Sequence, residues 1–175
     1  MTRTFVIDEA AALLRRTPRQ LDAWLRDLPA AWLDADEGPG TWRPRDVVGH
    51  LIAGERTDWM ARVHHLLRHG DVVAFAPFDR EAQFKEPPRA LGPMLDEFAA
   101  RRAQNVDELL GLGLTAADLD RTGRHPAFGV VTLGQHLATW VAHDLTHVTQ
   151  IARVMAKRYH DDVGPWREYL RVVRS

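Results

Sequence analysis

A long, uninterrupted helical pattern from Thr132 to about Tyr159 constrains this chain more than any other stretch. Apolar residues recur there at three- and four-residue steps, as they do along one face of an α-helix. These residues are Leu133, Leu137, Trp140, Val141, Val148, Ile151, Ala152 and Met155. Because such a stripe is stable only when it is buried, the chain must pack at least one long amphipathic helix against a core.

Three further segments have the same kind of periodicity. They run from Asp8 to Leu28, from Pro44 to about His69, and from about Leu91 to Leu112. Pro18 predicts a break in the first segment, with Thr17 as a helix cap, because proline supplies no backbone donor in mid-helix. The chain is therefore expected to contain four long helical segments.

The connections between these segments are long. Residues 34–41, 70–90 and 115–131 contain the Gly and Pro residues that end helices. The 70–90 connection, with three Phe, is interpreted either as a cover over a pocket or as a loop pinned by its aromatic side chains. Residues 164–173 predict a short C-terminal helix, and no run predicts a strand. The sequence predicts an all-α four-helix bundle with long connections and a short C-terminal helix, formed by residues 1–175 as one domain.

The composition excludes several classes of function. The chain contains no Cys, which removes disulfides, Cys zinc sites and a thiol nucleophile from the protein itself. The formal net charge is −1 without a long run of either sign, so neither nucleic acid nor an acidic membrane surface is favoured as a partner. Residues 1–5 lack an apolar signal core, and no stretch approaches the roughly 18 apolar residues of a membrane span. We therefore expect a soluble, cytoplasmic protein.

His143 and His147 lie one helical turn apart on the shoulder of the apolar stripe, so both rings can reach one ion. The spacing alone is a weak signal, because the nine His of the chain also provide His65 and His69. That second pair precedes Gly70 and is interpreted as a helix end, where imidazoles meet terminal carbonyls. From their spacing, His143 and His147 are either metal ligands or, more commonly, polar shoulder residues of a packed helix.

Three ionisable residues fall at inward positions of the helical patterns, namely Glu55, Arg102 and Asp144. An isolated buried charge is costly, so we predict that Arg102 pairs with Glu55, Asp144 or both. Arg102→Ala is then expected to lower the free energy of unfolding by about 3–5 kcal/mol. Alternatively, Asp144 orients a metal-ligating imidazole, or all three groups are solvated because the helical wheel is off by one position. His50 lies opposite the apolar face of its helix, which predicts exposure unless that helix buries two faces.

Several stretches taken together resemble a known family. They are Gly40-Thr41-Trp42-Arg43-Pro44, then Val48-Gly49-His50-Leu51 with Glu55 and Trp59, then His143-Asp144-x-x-His147-x-x-Gln150-Ile151. This pattern, over most of the chain, is similar to the DinB/YfiT-like superfamily of metal-binding four-helix proteins. The resemblance implies a three-His metal site, for which His50, His143 and His147 occupy the matching positions. Arg43 departs from the pattern, which usually has a small hydroxyl cap there, and this difference should affect local helix stability but not the metal.

A site of three imidazoles leaves one coordination position open, as catalytic zinc sites do. Zn²⁺ and Ni²⁺ both suit imidazole, and either ion lowers the pKa of a bound water or thiol. Trp140 and Gln150 lie one turn to either side of the His pair and are expected to line this site. The alternatives are that Trp140 only packs and that Gln150 is a solvated amide.

The resemblance also implies a function. Similar proteins include S-transferases that use low-molecular-weight bacterial thiols, so we expect a metal-dependent enzyme that directs a thiol co-substrate at an electrophilic small molecule. One alternative is a metal-dependent hydrolase. Another is a non-catalytic bundle that binds a metal or a small ligand, or that forms a homodimer through a helix face.

Overall fold

Four long helical segments pack side by side in the computed structural model, which describes residues 5–174. Each of the first two segments is broken into two helices, and the third and fourth are continuous. These helices are α1 (Ile7–Leu14), α2 (Arg16–Leu25), α4 (Pro44–Thr57), α5 (Trp59–His69), α6 (Leu91–Gly111) and α8 (Leu133–Lys157). The prediction of a four-helix bundle is confirmed. Residues 1–4, where the sequence indicates no signal core, and residue 175 lie outside the described part of the chain.

Short elements occupy the long connections between these helices. They are α3 (Ala30–Leu33), a 3-10 helix (Ala82–Lys85), α7 (Ala116–Leu119), β1 (Thr122–His125), β2 (Gly129–Thr132), a second 3-10 helix (Gly164–Glu168) and α9 (Arg171–Arg174). The last two elements stand where one short C-terminal helix was predicted. Within residues 5–174, no helix has both the length and the apolar character needed to cross a bilayer.

The first helical segment breaks at Arg15, slightly before the expected Thr17-Pro18 step. Pro18 is the third residue of α2, where its missing backbone N–H removes no intrahelical hydrogen bond. Thr17 does not cap a helix, because it lies buried inside α2. Arg15 stands at the N-cap and makes no side-chain capping bond there. The predicted break is therefore present, but the predicted cap is wrong.

The second segment was expected to be one helix, and the structure breaks it at Asp58. The φ and ψ angles of Asp58 are −113° and −68°, so the backbone departs from helical geometry between α4 and α5. The buried Asp58 carboxylate pairs with Arg62 at 2.7 Å. Beyond the break, the Trp59 ring stacks on Trp140 with centroids 5.6 Å apart. Periodicity misses the break because the apolar residues on either side of Asp58 keep helical spacing.

An antiparallel hairpin of β1 and β2 precedes α8, where the sequence predicted only a connection. His125 at the end of β1 pairs with Gly129, which adopts the left-handed φ of +75°. A Cβ at Gly123 would lie 2.7 Å from the Phe75 ring, so glycine allows that ring to pack directly against β1. Each strand has only four residues, which is too short for alternation to distinguish it from a loop.

Apolar side chains form two core clusters at different levels along the bundle. A polar layer separates the two clusters. It consists of Glu55 on α4, Arg102 on α6 and Asp144 on α8. Each of these three residues is at most 5% exposed. Representative members of one cluster are Val63, Val106 and Trp140, and of the other Leu51, Phe98 and Ile151.

Arg102 ties the three helices of this polar layer together. Its Nε and Nη2 atoms donate to Glu55 Oε1 at 3.0 and 2.7 Å, and Nη2 also donates to Asp144 Oδ1 at 2.9 Å. The Glu55 carboxylate also accepts hydrogen bonds from Asn105 Nδ2 and Trp140 Nε1. Burial opposes the charged guanidinium, but the charges of Asp144 and Glu55 raise the pKa of Arg102 above its usual value. Every ion in the layer is therefore paired, as burial of charge requires.

We expect Arg102→Met to destabilise the protein by about 3–5 kcal/mol, because it leaves two buried carboxylates without a counter-charge. Urea unfolding measures this loss. Arg101→Met is the matched control, since the neighbouring Arg101 side chain is 40% exposed and pairs with Glu97 at the surface. That control should change stability by less than about 1 kcal/mol. Equal stabilities of the two variants would contradict a stabilising role of the buried pairs.

The connection between α3 and α4 is held against α8 by Glu37. Its carboxylate accepts hydrogen bonds from Arg153 Nε at 2.7 Å and pairs with Lys157 at 2.8 Å. The Arg153 hydrogen bonds, with a smaller contribution from Lys157, lower the pKa of Glu37 to about 2 although burial opposes this. An exposed connection is thereby tied to the C-terminal half of the longest helix.

Glu37 should make the stability depend on pH in the acid range. Its pKa is lower in the folded protein, about 2, than the ordinary value of 4.5. The stabilisation is therefore complete above that ordinary value and is lost as the pH falls through the folded value. We expect Glu37→Gln to cost about 1–3 kcal/mol at neutral pH and progressively less in acid. Denaturant unfolding across this range, with the exposed Glu168→Gln as control, measures the effect. A difference independent of pH would contradict it.

Candidate metal centre

Three histidines on two helices bring their Nε2 atoms to one point. The Nε2 atom of His143 on α8 lies 3.1 Å from that of His50 on α4 and 3.1 Å from that of His147 on α8. All three ligand atoms lie within 4.8 Å of one another. Tetrahedral coordination at Zn–N distances of about 2.0–2.1 Å places ligand nitrogens about 3.3 Å apart, so these spacings fit a single ion.

His143 and His147 share one face because they lie one turn apart in the continuous helix α8. His50 lies away from the main apolar face of α4, yet only 4% of it is exposed. The segment after α5 covers this second face. The Arg80 carbonyl lies 3.2 Å from His50 Nδ1, and the Phe78 ring packs edge-on with its centroid 5.4 Å from the imidazole. The exposure that periodicity predicts for His50 is thus wrong, because α4 buries two faces.

Hydrogen-bond partners determine which nitrogen carries the proton in two of the rings. His50 Nδ1 faces the Arg80 carbonyl, and His147 Nδ1 faces Gln150 Oε1 at 2.8 Å. Because a carbonyl oxygen only accepts, both neutral rings carry the hydrogen on Nδ1 and present a lone pair on Nε2. His143 Nε2 can donate to only one of these lone pairs. Its own Nδ1 atom is buried without a hydrogen-bond partner in residues 5–174.

The three rings cannot satisfy all of one another's hydrogen-bonding groups. Their Nε2 lone pairs instead suit a cation at the centre of the cluster. Burial and then the neighbouring His147 lower the pKa of His50 to about 4. Burial, followed by the other two histidines, lowers the pKa of His143 to about 3, and burial also lowers the pKa of His147. Metals bind neutral imidazole, so the rings have the required protonation state at neutral pH. The three-His cluster fits a divalent metal site.

The cluster borders a cavity of about 630 Å³. Aromatic side chains form much of its wall, and Trp42 also stacks on His147 with centroids 6.0 Å apart. A cavity of this size, largely apolar with a few polar groups, is typical of small-molecule sites. The aromatic residues of the wall are Trp42, Trp59, Phe75, Phe78 and Phe128.

The comparisons with known proteins agree with this architecture. A profile of the DinB superfamily matches residues 13–151. The chain belongs to the DinB superfamily. Among solved structures, it is similar to YfiT from Bacillus subtilis, a probable metal-dependent hydrolase with an unusual four-helix bundle topology. The two chains share 20% sequence identity with a TM-score of 0.74 over 87% of each, a likeness that concerns the fold. No curated protein matches the chain significantly.

In this DinB-superfamily chain, the two expected lining residues have different surroundings. Gln150 Oε1 accepts from His147 Nδ1 and so holds that ring in place. Trp140 is fully buried and donates to Glu55 at 3.1 Å, and neither Trp140 nor Gln150 is part of the cavity wall among the described residues. Asp144 is hydrogen-bonded to Arg102 and, within residues 5–174, to none of the three imidazoles. Its contacts correspond to the ion-pair prediction and not to the alternative in which it orients a ligand.

Several polar residues of the cavity wall were not singled out from the sequence, among them Asp58, Arg62, Arg80 and His125. Asp58 and Arg62 form the ion pair at the break between α4 and α5. Arg80 lies in the 70–90 connection, and His125 ends β1. None of them belongs to an apolar pattern or a motif. The only sequence signal was the interpretation of the 70–90 connection as a cover over a pocket.

Gln150→Ala should weaken Zn²⁺ binding about ten-fold, because it removes the acceptor that orients the His147 ring. Competition with a chromophoric chelator measures the dissociation constant. Thr149→Ala is the control, since the adjacent exposed Thr149 hydroxyl only donates to the Leu145 carbonyl. An unchanged affinity in Gln150→Ala would show that the hydrogen bond does not support a ligand.

Proposed function

We propose that the chain is a metal-dependent enzyme in which His50, His143 and His147 hold a divalent ion, Zn²⁺ or Ni²⁺, and that it transfers the sulfur of a low-molecular-weight thiol to an electrophilic small molecule. One observation carries the proposal. Three neutral Nε2 atoms converge at the border of a cavity of about 630 Å³. The residues of a purely structural site would instead enclose the ion with a full set of protein ligands.

The ligand set favours an anionic nucleophile. Three imidazoles bring no negative charge, and the three-His cluster contains no fourth His, Asp or Glu among the described residues. A divalent ion held there supplies a Lewis acid that lowers the pKa of a thiol or of water. The chain has no Cys, so any reacting sulfur must come from a co-substrate. Low-molecular-weight thiols are kept reduced in the cytoplasm, which is the proposed location.

The residues of the cavity would position the reactants and exclude water. Trp42 packs against both His50, with centroids 4.7 Å apart, and His147. The Phe78 ring packs edge-on against His50, with centroids 5.4 Å apart. In the proposed reaction the sulfur forms a bond to the electrophilic carbon while the leaving group departs with its electron pair. The thiol proton passes to solvent.

A hydrolase, with water as the nucleophile, is the second candidate. Two observations favour it, namely the fold similarity to YfiT, a probable metal-dependent hydrolase, and the buried Asp58 carboxylate as a proton acceptor. The two candidates use the same three histidines. They differ in the nucleophile, so turnover with and without thiol separates them.

The test uses protein loaded with Zn²⁺ or Ni²⁺, a chloronitrobenzene as electrophile, and p-nitrophenyl acetate as an ester. We expect thioether formation that requires both metal and added thiol, measured by thiol consumption and product absorbance above the uncatalysed rate. His143→Ala should lose the metal and the turnover together, and His65→Ala, from the other histidine pair, should keep both.

Three other outcomes would each contradict a part of the proposal. Thiol-independent ester hydrolysis without thioether formation would reject the transferase in favour of the hydrolase. Metal retention without turnover of either substrate type would favour a non-catalytic binding protein. Metal content of His143→Ala equal to that of the unmodified chain, measured by mass spectrometry after dialysis, would reject the ligand set.

A further inference from the structure

One part of the cavity wall carries polar groups that the proposed metal chemistry does not use. Arg80 comes from the connection before the first 3-10 helix, and His125 comes from the end of β1. Both residues line the same cavity as the three-His cluster, and His125 is half-buried while Arg80 is exposed. The hairpin is fixed to the loop, because the Phe75 backbone N–H donates to the Arg124 carbonyl at 2.8 Å.

The turn of the hairpin determines the protonation state of His125. The backbone N–H groups of Ala127 and Phe128 donate to His125 Nδ1 at 3.1 and 3.2 Å. Since a backbone N–H can only donate, Nδ1 carries the lone pair and Nε2 carries the hydrogen. Burial, followed by the charges of Arg62 and Arg80, lowers the pKa of His125 and keeps the ring neutral. Its ring stacks on Phe128 with centroids 4.5 Å apart.

His125 therefore presents an N–H donor on a fixed ring. No residue in the described part of the chain accepts a hydrogen bond from this Nε2 atom. Trp59 lines the same wall, but its indole nitrogen is buried and has no hydrogen-bond partner in residues 5–174. A Cβ at residue 54 would lie 3.0 Å from that nitrogen, so glycine allows the Trp59 ring to pack directly against α4.

Arg80 supplies a positive charge at the same wall. Its carbonyl is fixed by His50 Nδ1, but its guanidinium has no hydrogen bond or ion pair with another described residue. Burial, then the charge of Arg62 and then that of Arg80 lower the pKa of His125. Arg80 thus shares one cavity wall with the histidine cluster and with the hairpin.

The charges of the cavity wall do not cancel. Among the described residues that line it, Asp58 is the only carboxylate, and Arg62 pairs with it at 2.7 Å. The Arg80 charge therefore has no counter-charge among the described residues that line the cavity. A cavity with one uncompensated cation, the unpartnered N–H donor of His125 and aromatic walls is complementary to an apolar molecule that carries one negative charge.

We infer that Arg80 and His125 bind a carboxylate of the substrate or co-substrate, so that the site selects small apolar carboxylates. The inference rests on the proposed function, because the carboxylate would anchor a molecule whose reacting part extends to the three histidines. The planar guanidinium can donate to one carboxylate oxygen or to both, and His125 Nε2 supplies a further donor. One guanidinium and one neutral N–H match a single negative charge.

The test compares phenylacetate with phenylacetamide, which has the same size and no charge. NMR titration of metal-free protein measures both dissociation constants, so neither metal coordination nor turnover enters the result. We expect phenylacetate to bind about ten-fold more tightly than the amide, the ratio that one charge-assisted hydrogen bond gives. Equal affinities for the two molecules would overturn the proposal, whatever the outcome of the turnover experiments.

Three variants test whether Arg80 and His125 are the residues that bind the carboxylate. Arg80→Gln should abolish the preference for phenylacetate, and the exposed Arg68→Gln, outside the cavity, should retain it. His125→Asn keeps an acceptor for the two N–H groups of the turn but cannot reach the position of Nε2, so it should weaken phenylacetate binding severalfold. A preference that survives in Arg80→Gln, or an affinity unchanged in His125→Asn, would overturn the assigned pair.

Discussion

The packing of the helices depends on the buried ion pairs that Arg102 forms with Glu55 and Asp144. All three side chains are almost fully removed from solvent, at a level where α4, α6 and α8 meet. A buried charge is tolerated only when its partners are in place, because stranding one costs several kcal/mol. Any other rotation or register of these helices would strand at least one ion. The polar layer therefore selects one packing among those that the apolar stripes alone would allow.

This selection also fixes the geometry of the candidate metal centre. Glu55 follows His50 by little more than one turn of α4, and Asp144 is adjacent to His143 on α8. Locking the two carboxylates to one guanidinium thus sets the separation and rotation of the helices that carry the histidines. Ligand nitrogens must all reach within about 2 Å of an ion, so small errors in helix position would matter. α6 contributes no histidine to the cluster, yet it supplies the arginine that aligns the other two helices.

The connections complete the site that the bundle begins. The segment after α5 covers the second face of α4, and its Arg80 carbonyl orients the His50 ring. The hairpin of β1 and β2 packs against the same segment through Phe75 and Gly123, and brings His125 to the cavity. In the proposed function, metal binding and substrate recognition would therefore be divided between two kinds of structure. Rigid helices hold the three imidazoles, and the connections hold the charge and the donors that would select a ligand.

The sequence by itself determined the features that depend on local spacing. Periodicity gave four helical segments, placed Glu55, Arg102 and Asp144 inward, and put His143 and His147 on one turn, because helical geometry fixes directions within one element. It could not place His50, whose burial depends on a connection that packs on α4 from elsewhere in the chain. The break at Asp58, the hairpin, and the cavity with Arg80 and His125 likewise arise from contacts between residues distant in sequence. Only the tertiary structure decided them, since no local pattern records which distant surfaces will meet.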